Sequence, residues 1–166
     1  MAKTPHSLTP EKAYQRAAAR CATTEYAPNY WMDKFTAGGL SREEAESVVT
    51  RLKKEGFIDE ARFAKAFAHD KSAYNHWGPL KIKQALAAKG IDATLAEEAL
   101  SILPEEDWDD TLEHLLRQKA RTLKAGSAYE RRMKLARFAA GRGFAPGEIF
   151  HTLDKLGLQD EDKTLL

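Results

Sequence analysis

Along most of this chain apolar residues recur at spacings of three and four. Ala45, Val48, Val49 and Leu52 fall at i, i+3, i+4 and i+7, which is one face of an α-helix. Phe63, Ala64 and Phe67 continue the pattern, followed by Ile82, Ala85 and Leu86 and by Leu112, Leu115 and Leu116. Clean two-residue alternation is missing, and the β-branched residues are too scattered to make strands. The pattern predicts an all-α protein.

Three Gly-hydrophobic pairs punctuate that pattern: Gly39-Leu40, Gly90-Ile91 and Gly143-Phe144, spaced 51 and 53 residues apart. Four residues before each glycine sit Phe35, Leu86 and Ala139; eight before sit Trp31, Ile82 and Leu135; six after sit Ala45, Ala96 and Ile149. Such register predicts an internal repeat of about fifty residues. A glycine one position past a helix end takes the left-handed conformation without steric cost, and the next residue folds back onto the closing turn. A new helix follows each stop. Ser41-Arg42-Glu43-Glu44 is a capping-box pattern, Asp92 or Thr94 can cap the second copy, and Pro146 suits the first turn of the third. One further helix precedes each pair, over Pro10–Thr24, Asp59–Tyr74 and Pro104–Leu123. The predicted organisation is a tail at 1–8, three-helix repeats at 9–58, 59–103 and 104–158, and a tail at 159–166. Units this small should stack on one another, giving a tandem array of three helix-turn-helix-like repeats.

Charge changes the picture. The formal net charge of +1 conceals segregation: residues 51–90 hold nine Lys/Arg against four Asp/Glu, and residues 92–113 hold nine acids and no Lys/Arg. Residues 117–147 return to nine basic residues against the single acid Glu130. Either the fold pairs these blocks internally, or it presents a basic surface to phosphates or to an acidic partner. Sequence-specific reading of DNA bases is a poor fit, because the third helices carry Glu43, Glu44, Glu46, Glu97 and Glu98.

Candidate chemistry is thin. His6, His69, His76, His114 and His151 are scattered and Cys21 is the one cysteine, a poor zinc set and no internal disulfide. Cys21 reads as a core filler. No phosphate-binding glycine loop or serine elbow occurs, and Gly141-Arg142-Gly143 reads as a helix stop. Glu105, Glu106, Asp107, Asp109 and Asp110 could hold a hard metal, yet they flank a helix start after Pro104, where acids favour the helix dipole. Trp31, Trp77 and Trp108 read as packing residues, with Trp77, beside basic residues, the exception to watch. No cofactor, catalytic residue or metal is expected, and no apolar run approaches the roughly 18–20 residues that span a bilayer. The lone cysteine and the absence of a secretory pattern point to the cytoplasm.

Two segments resemble the RecX regulators of the bacterial recombinase RecA. One runs Gly56-Phe57-Ile58-Asp59-Glu60-Ala61-Arg62-Phe63-Ala64 and matches the family pattern G-[FYL]-[IL]-D-[DE]-x-R-F-A. The other, Trp77-Gly78-Pro79-Leu80-Lys81-Ile82-Lys83-Gln84-Ala85-Leu86 with the Lys89-Gly90-Ile91 stop, matches G-[YW]-G-P-x-[KR]-I-x-x-E-L. His76 stands where the family usually has Gly, Ala85 where it has Glu, and Trp31 where the first repeat often has Leu. The strong match covers about residues 40–92. The resemblance implies an elongated, curved stack of three repeats that lodges in the groove of the RecA–DNA filament. There it would suppress ATP hydrolysis and strand exchange, in DNA repair, recombination and the SOS response.

The expected function is therefore that of a monomeric, non-enzymatic regulator whose partners are RecA and its filament, with weak direct DNA contact. The alternative is a helical-repeat protein that binds DNA phosphates with no RecA role. The candidate binding residues are Lys53, Lys54, Lys65, Lys71, Trp77, Lys81, Lys83, Lys89, Arg117, Arg121, Arg131, Arg132 and Lys134. Lys81, Lys83 and Lys89 lie off the apolar face of their helix, and little structural role is expected of them. Charge reversal at Arg131, Arg132 and Lys134 is expected to weaken filament binding in the same way as at the three lysines.

Overall fold

A computed structural model describes residues 7–158, and its described residues are helical and carry no strand. The helices are α1 (Pro10–Cys21), α2 (Pro28–Ala37), α3 (Arg42–Lys54), α4 (Glu60–Ala73), α5 (Pro79–Ala88), α6 (Ala93–Ser101), α7 (Glu105–Thr122), α8 (Ala128–Gly141) and α9 (Pro146–Lys155). The three upstream helices start within one residue of where the pattern puts them; α1 stops short, at Cys21. The tails named at 1–8 and 159–166 fall mostly outside the described residues.

Local chemistry sets these boundaries. Ser41 and Glu44 close a reciprocal capping box on α3, each side chain accepting the other's backbone N–H at 3.1 Å. The Asp59 carboxylate accepts from Arg62 N at 2.9 Å at the start of α4, and Asp92 accepts from Thr94 N at 2.8 Å before α6. Between Asp92 and Thr94, the cap is Asp92. Pro28, Pro79 and Pro146 open α2, α5 and α9, where a missing N–H costs nothing.

Each predicted glycine stop is left-handed, with φ of +104° at Gly39, +82° at Gly90 and +100° at Gly143. Leu40 N reaches Phe35 O at 3.0 Å, Ile91 N reaches Leu86 O at 3.0 Å, and Phe144 N reaches Ala139 O at 3.3 Å. These are the six-to-one bonds of the Schellman motif. Gly56 and Gly157 end α3 and α9 in the same way: Phe57 N reaches Leu52 O at 2.9 Å and Leu158 N reaches Leu153 O at 2.8 Å. The fold thus uses a second row of glycine stops, one helix later than the row the repeat shows.

The described chain forms two compact units. The first takes the chain through Ala66 together with Leu86–Ala99; the second takes Phe67–Ala85 together with the chain from Leu100 onward. In the first unit α3 packs on α1 and α2 around Trp31, Phe35, Leu40, Val48, Val49 and Leu52, and Ala13 and Ala17 let α1 come close. The Trp31 and Phe35 rings stack with centroids 5.6 Å apart. In the second, α7, α8 and α9 enclose Leu112, Leu116, Leu135, Phe144, Ile149 and Leu153.

One contact in the second unit needs two glycines. Gly78 N donates to Arg142 O at 2.7 Å and Leu80 N to Gly143 O at 3.0 Å. A Cβ on Gly78 would overlap the Gly143 carbonyl, and one on Gly143 would lie 2.6 Å from Lys81 N.

Replacing Gly39 with Ala should cost about 1–2 kcal/mol, the penalty of a left-handed residue alone, because only Ser7 Cβ comes near, at 3.8 Å. Gly143→Ala should cost clearly more, since its new methyl meets backbone. Urea denaturation of both variants checks the ranking, and equal losses would contradict the close-approach account. Phe35→Ala and Leu86→Ala, at residues 2% and 0% exposed, should each cost about 2–5 kcal/mol in the same measurement.

Candidate binding face of the second unit

The turn between α4 and α5 sets up this face. His76 has φ +55°, a conformation that a side chain adopts only at a cost of roughly 1–2 kcal/mol. The next residue, Trp77, hydrogen-bonds from its N–H back to Lys71 O at 3.0 Å. That reversal leaves the Trp77 indole half-buried with Phe67 edge-on at 6.4 Å. Lys71 Nζ lies 4.9 Å and Lys81 Nζ 4.5 Å from its ring centroid. Contacts of this kind contribute about 0.5–1 kcal/mol each at exposed sites. Three candidates from the sequence, Lys71, Trp77 and Lys81, are therefore one cluster.

His76 also borders an open groove of about 570 Å³ whose other walls come from the C-terminal half of α7 and from α8. Lys119, Arg121, Phe138 and Arg142 line it, with Leu115 at its base. Lys119 Nζ and Arg142 Cζ lie 5.1 and 5.2 Å from the Phe138 centroid, and Arg142 donates to Asn75 O at 3.4 Å. No acid lines the groove. Lys119, half-buried, and Arg121, exposed, have no ion pair among the described residues. A cationic groove with an aromatic wall suits an anionic polymer, whether a phosphodiester backbone or an acidic protein segment.

Other candidates are spent on the fold. Arg131 donates to Ala120 O at 2.6 Å and Leu123 O at 3.4 Å, satisfying carbonyls at the end of α7 that no helical N–H can reach. Arg132, with its side chain 11% exposed, bonds Asp154 at 2.7 Å and Leu158 O at 2.8 Å. Lys134 bonds Lys124 O at 3.2 Å and pairs with Glu130 at 2.9 Å, which holds the Glu130 carboxyl below its ordinary value. Through this triplet α8 fastens the ends of α7 and α9. The Lys81 backbone lies against Gly143, while its amine lies over Trp77.

Arg117 pairs with Glu113 at 2.9 Å, and Lys155 reaches the same carboxylate at 3.2 Å. The two cations, Arg117 foremost, hold Glu113 below the usual carboxylate range. Lys53 pairs with Glu60 at 2.6 Å in the first unit, where Lys54, Lys65 and Lys89 also lie, exposed. Lys83 is half-buried. Cys21 packs against the first unit's core, and burial pushes its thiol up from the ordinary value, which keeps it unreactive. Trp31 is 4% exposed, and Trp108 packs against the second core.

Basic clustering and helical period give Phe138 and Arg142 no binding role and leave Lys119 out of the candidates. A usable signal is nevertheless present. Arg117 and Lys134 each have a Glu four residues earlier, whereas Lys119, Arg121 and Arg142 have none, so the latter are the charges a helix cannot neutralise itself.

Two outcomes are expected in thermal or chemical denaturation. Arg132→Ala should cost about 1–3 kcal/mol, because a largely buried side chain is removed together with its bonds to Leu158 O and Asp154, while Arg121→Ala should stay within about 0.5 kcal/mol. His76→Gly should be at least as stable as the native chain, since glycine occupies a positive φ freely. A fall in Tm would show that the ring contact with His114, at 5.8 Å between centroids, outweighs the backbone cost.

Comparison with known proteins agrees on one family. Residues 59–100 match the family description "RecX, second three-helix domain", and residues 105–153 match "RecX, third three-helix domain". A "Regulatory protein RecX" of Xanthomonas axonopodis pv. citri is 30% identical over 146 residues, covering 88% of both chains. One from Thermus thermophilus is 30% identical over 84% of this chain and 80% of its own. That of Halalkalibacterium halodurans is 34% identical over 125 residues, and the chain spans only 47% of that relative's length. The crystal structure of RecX from Lactobacillus salivarius superposes with a TM-score of 0.78 over 90% of this chain and 97% of its own, at 20% identity. A second crystal structure, of regulatory protein RecX, gives 0.77 over 87% and 71%. Both share the fold.

Proposed function

From the premise that this chain belongs to the RecX family of regulatory proteins, we propose that it binds the RecA–DNA filament and inhibits recombinase action by occupancy. It suppresses ATP hydrolysis and strand exchange without catalysing a reaction of its own. The observation that carries this reading is the acid-free groove of Lys119, Arg121, Phe138 and Arg142 beside the Trp77 cluster. Uncompensated cations on a folded surface raise the folded state's self-repulsion, and a polyanionic partner removes that repulsion. Grip on a filament is spread over many such contacts, with Lys71, Lys81 and the first unit's Lys54 and Lys65 contributing weakly. Direct contact with DNA phosphates is part of the same reading.

The protein acts as a monomer in the cytoplasm. Among the described residues no helix is long and apolar enough to cross a membrane, and the lone cysteine suits a reducing compartment.

The test uses purified RecA, single-stranded DNA and the full chain. Lys119→Glu with Arg121→Glu should lower Tm only modestly, because Arg121 is exposed while Lys119, half-buried, gives up its contact with the Phe138 ring. The same variant should lose most of its suppression of filament ATPase, and the salt dependence of filament binding should fall. Suppression equal to the native protein across a salt titration would remove the groove from the mechanism. Salt-dependent binding to naked DNA with no effect on RecA would favour the DNA-binding alternative.

A further inference from the structure

A second pocket lies in the first unit, over the Trp31 and Phe35 edge of its core. It has a volume of about 330 Å³ between α1 and α2, with Trp31, Phe35 and Leu8 as apolar walls. Three cations surround it: Arg16 and Arg20, one turn apart on α1, and Lys34 on α2. No acid lines it. The guanidinium groups at 16 and 20 and the amine at 34 have no ion pair among the described residues. Elsewhere in the same unit Arg51 pairs with Glu11 and Glu55, Arg62 with Glu25, and Lys53 with Glu60. The pocket is thus a hydrophobic recess with an unbalanced positive rim.

We propose that this recess is a docking site for a peptide segment of a partner protein that offers one large apolar side chain flanked by carboxylates. The recess has room for about one such side chain, whose burial there favours binding. Arg16 and Arg20 present planar forks that match carboxylates in pairs. A nucleotide fits less well, because it needs a free aromatic face for its base. Tyr30 already carries Tyr26 stacked at 4.7 Å and Lys34 at 5.6 Å from its centroid. Trp31 is 4% exposed and stacked on Phe35. Leu8 closes one end of the recess, its N–H donating to Gly38 O at 3.2 Å, so the site is concave and bounded, unlike a surface made to lie on lipid.

The test is fluorescence anisotropy with the full chain and a labelled peptide, Gly-Asp-Glu-Phe-Leu-Asp-Glu-Gly. Two control peptides replace either its apolar pair with glycines or its acids with Asn and Gln. The first peptide should bind saturably, and both controls should bind at least tenfold more weakly. Arg16→Ser with Arg20→Ser, and separately Lys34→Ser, should weaken binding about tenfold with unchanged melting. Lys12→Ser with Arg42→Ser, which removes charge outside the recess, should change nothing. Equal binding by the glycine control, native-like binding by the Arg16/Arg20 variant, displacement by millimolar inorganic phosphate, or no saturable binding would each overturn the proposal. No recombinase enters this assay, so its failure leaves the family-based reading of function standing.

Discussion

In the second unit the candidate binding face depends on two backbones touching where side chains would ordinarily keep them apart. Gly78 and Leu80 donate to the carbonyls of Arg142 and Gly143, and neither bond survives a Cβ at position 78 or 143. The start of α5 is thereby sewn to the turn between α8 and α9. With that seam fixed, His76 and Trp77 are delivered to one side and Arg142 and Phe138 to the other. The basic groove is what lies between. Hydrophobic burial of Phe144, 1% exposed immediately after the seam, supplies the adhesion, while the glycines supply the geometry.

Positive charge in this chain divides by whether a helix can neutralise it. Arg117 and Lys134 find a Glu one turn back, and Arg131 and Arg132 find the carbonyls and carboxylate at helix ends. Lys119, Arg121, Arg16 and Arg20 find no acid among the described residues. The first group is compensated within the fold; the second is not. Sequence clusters of basic residues merge the two, and only the pairing separates them.

Much of the fold was legible before any coordinates. The helix starts at Pro10 and just after Asp59 and Pro104, the Ser41 capping box and the left-handed glycines at 39, 90 and 143 are local events, set by residues within one turn of each other. The neighbours of Trp77 were legible in part, because Lys71 and Lys81 lie near it in sequence and both reach its ring. What stayed hidden was long-range. Nothing near Gly78 in sequence tells that it meets Gly143, and nothing near Arg131 tells that it reaches Ala120. Arg142, between two glycines, reads as punctuation although its side chain lies over Phe138. The Arg16–Arg20–Lys34 rim was invisible because its members belong to two helices that meet only on folding.

The left-handed backbone at His76 restricts what evolution can write there. Glycine, asparagine and aspartate enter that region of φ/ψ space cheaply, whereas valine and isoleucine enter it at a penalty of their own. The residues tolerated at this position are therefore sorted first by torsion and only then by what they touch. Variation confined to Gly, Asn, Asp and His would look like selection for a polar ligand contact, yet it would be the signature of a chain reversal. A mutational map of the groove needs that distinction at its rim, since a β-branched residue there would abolish binding by unmaking the turn that presents Trp77.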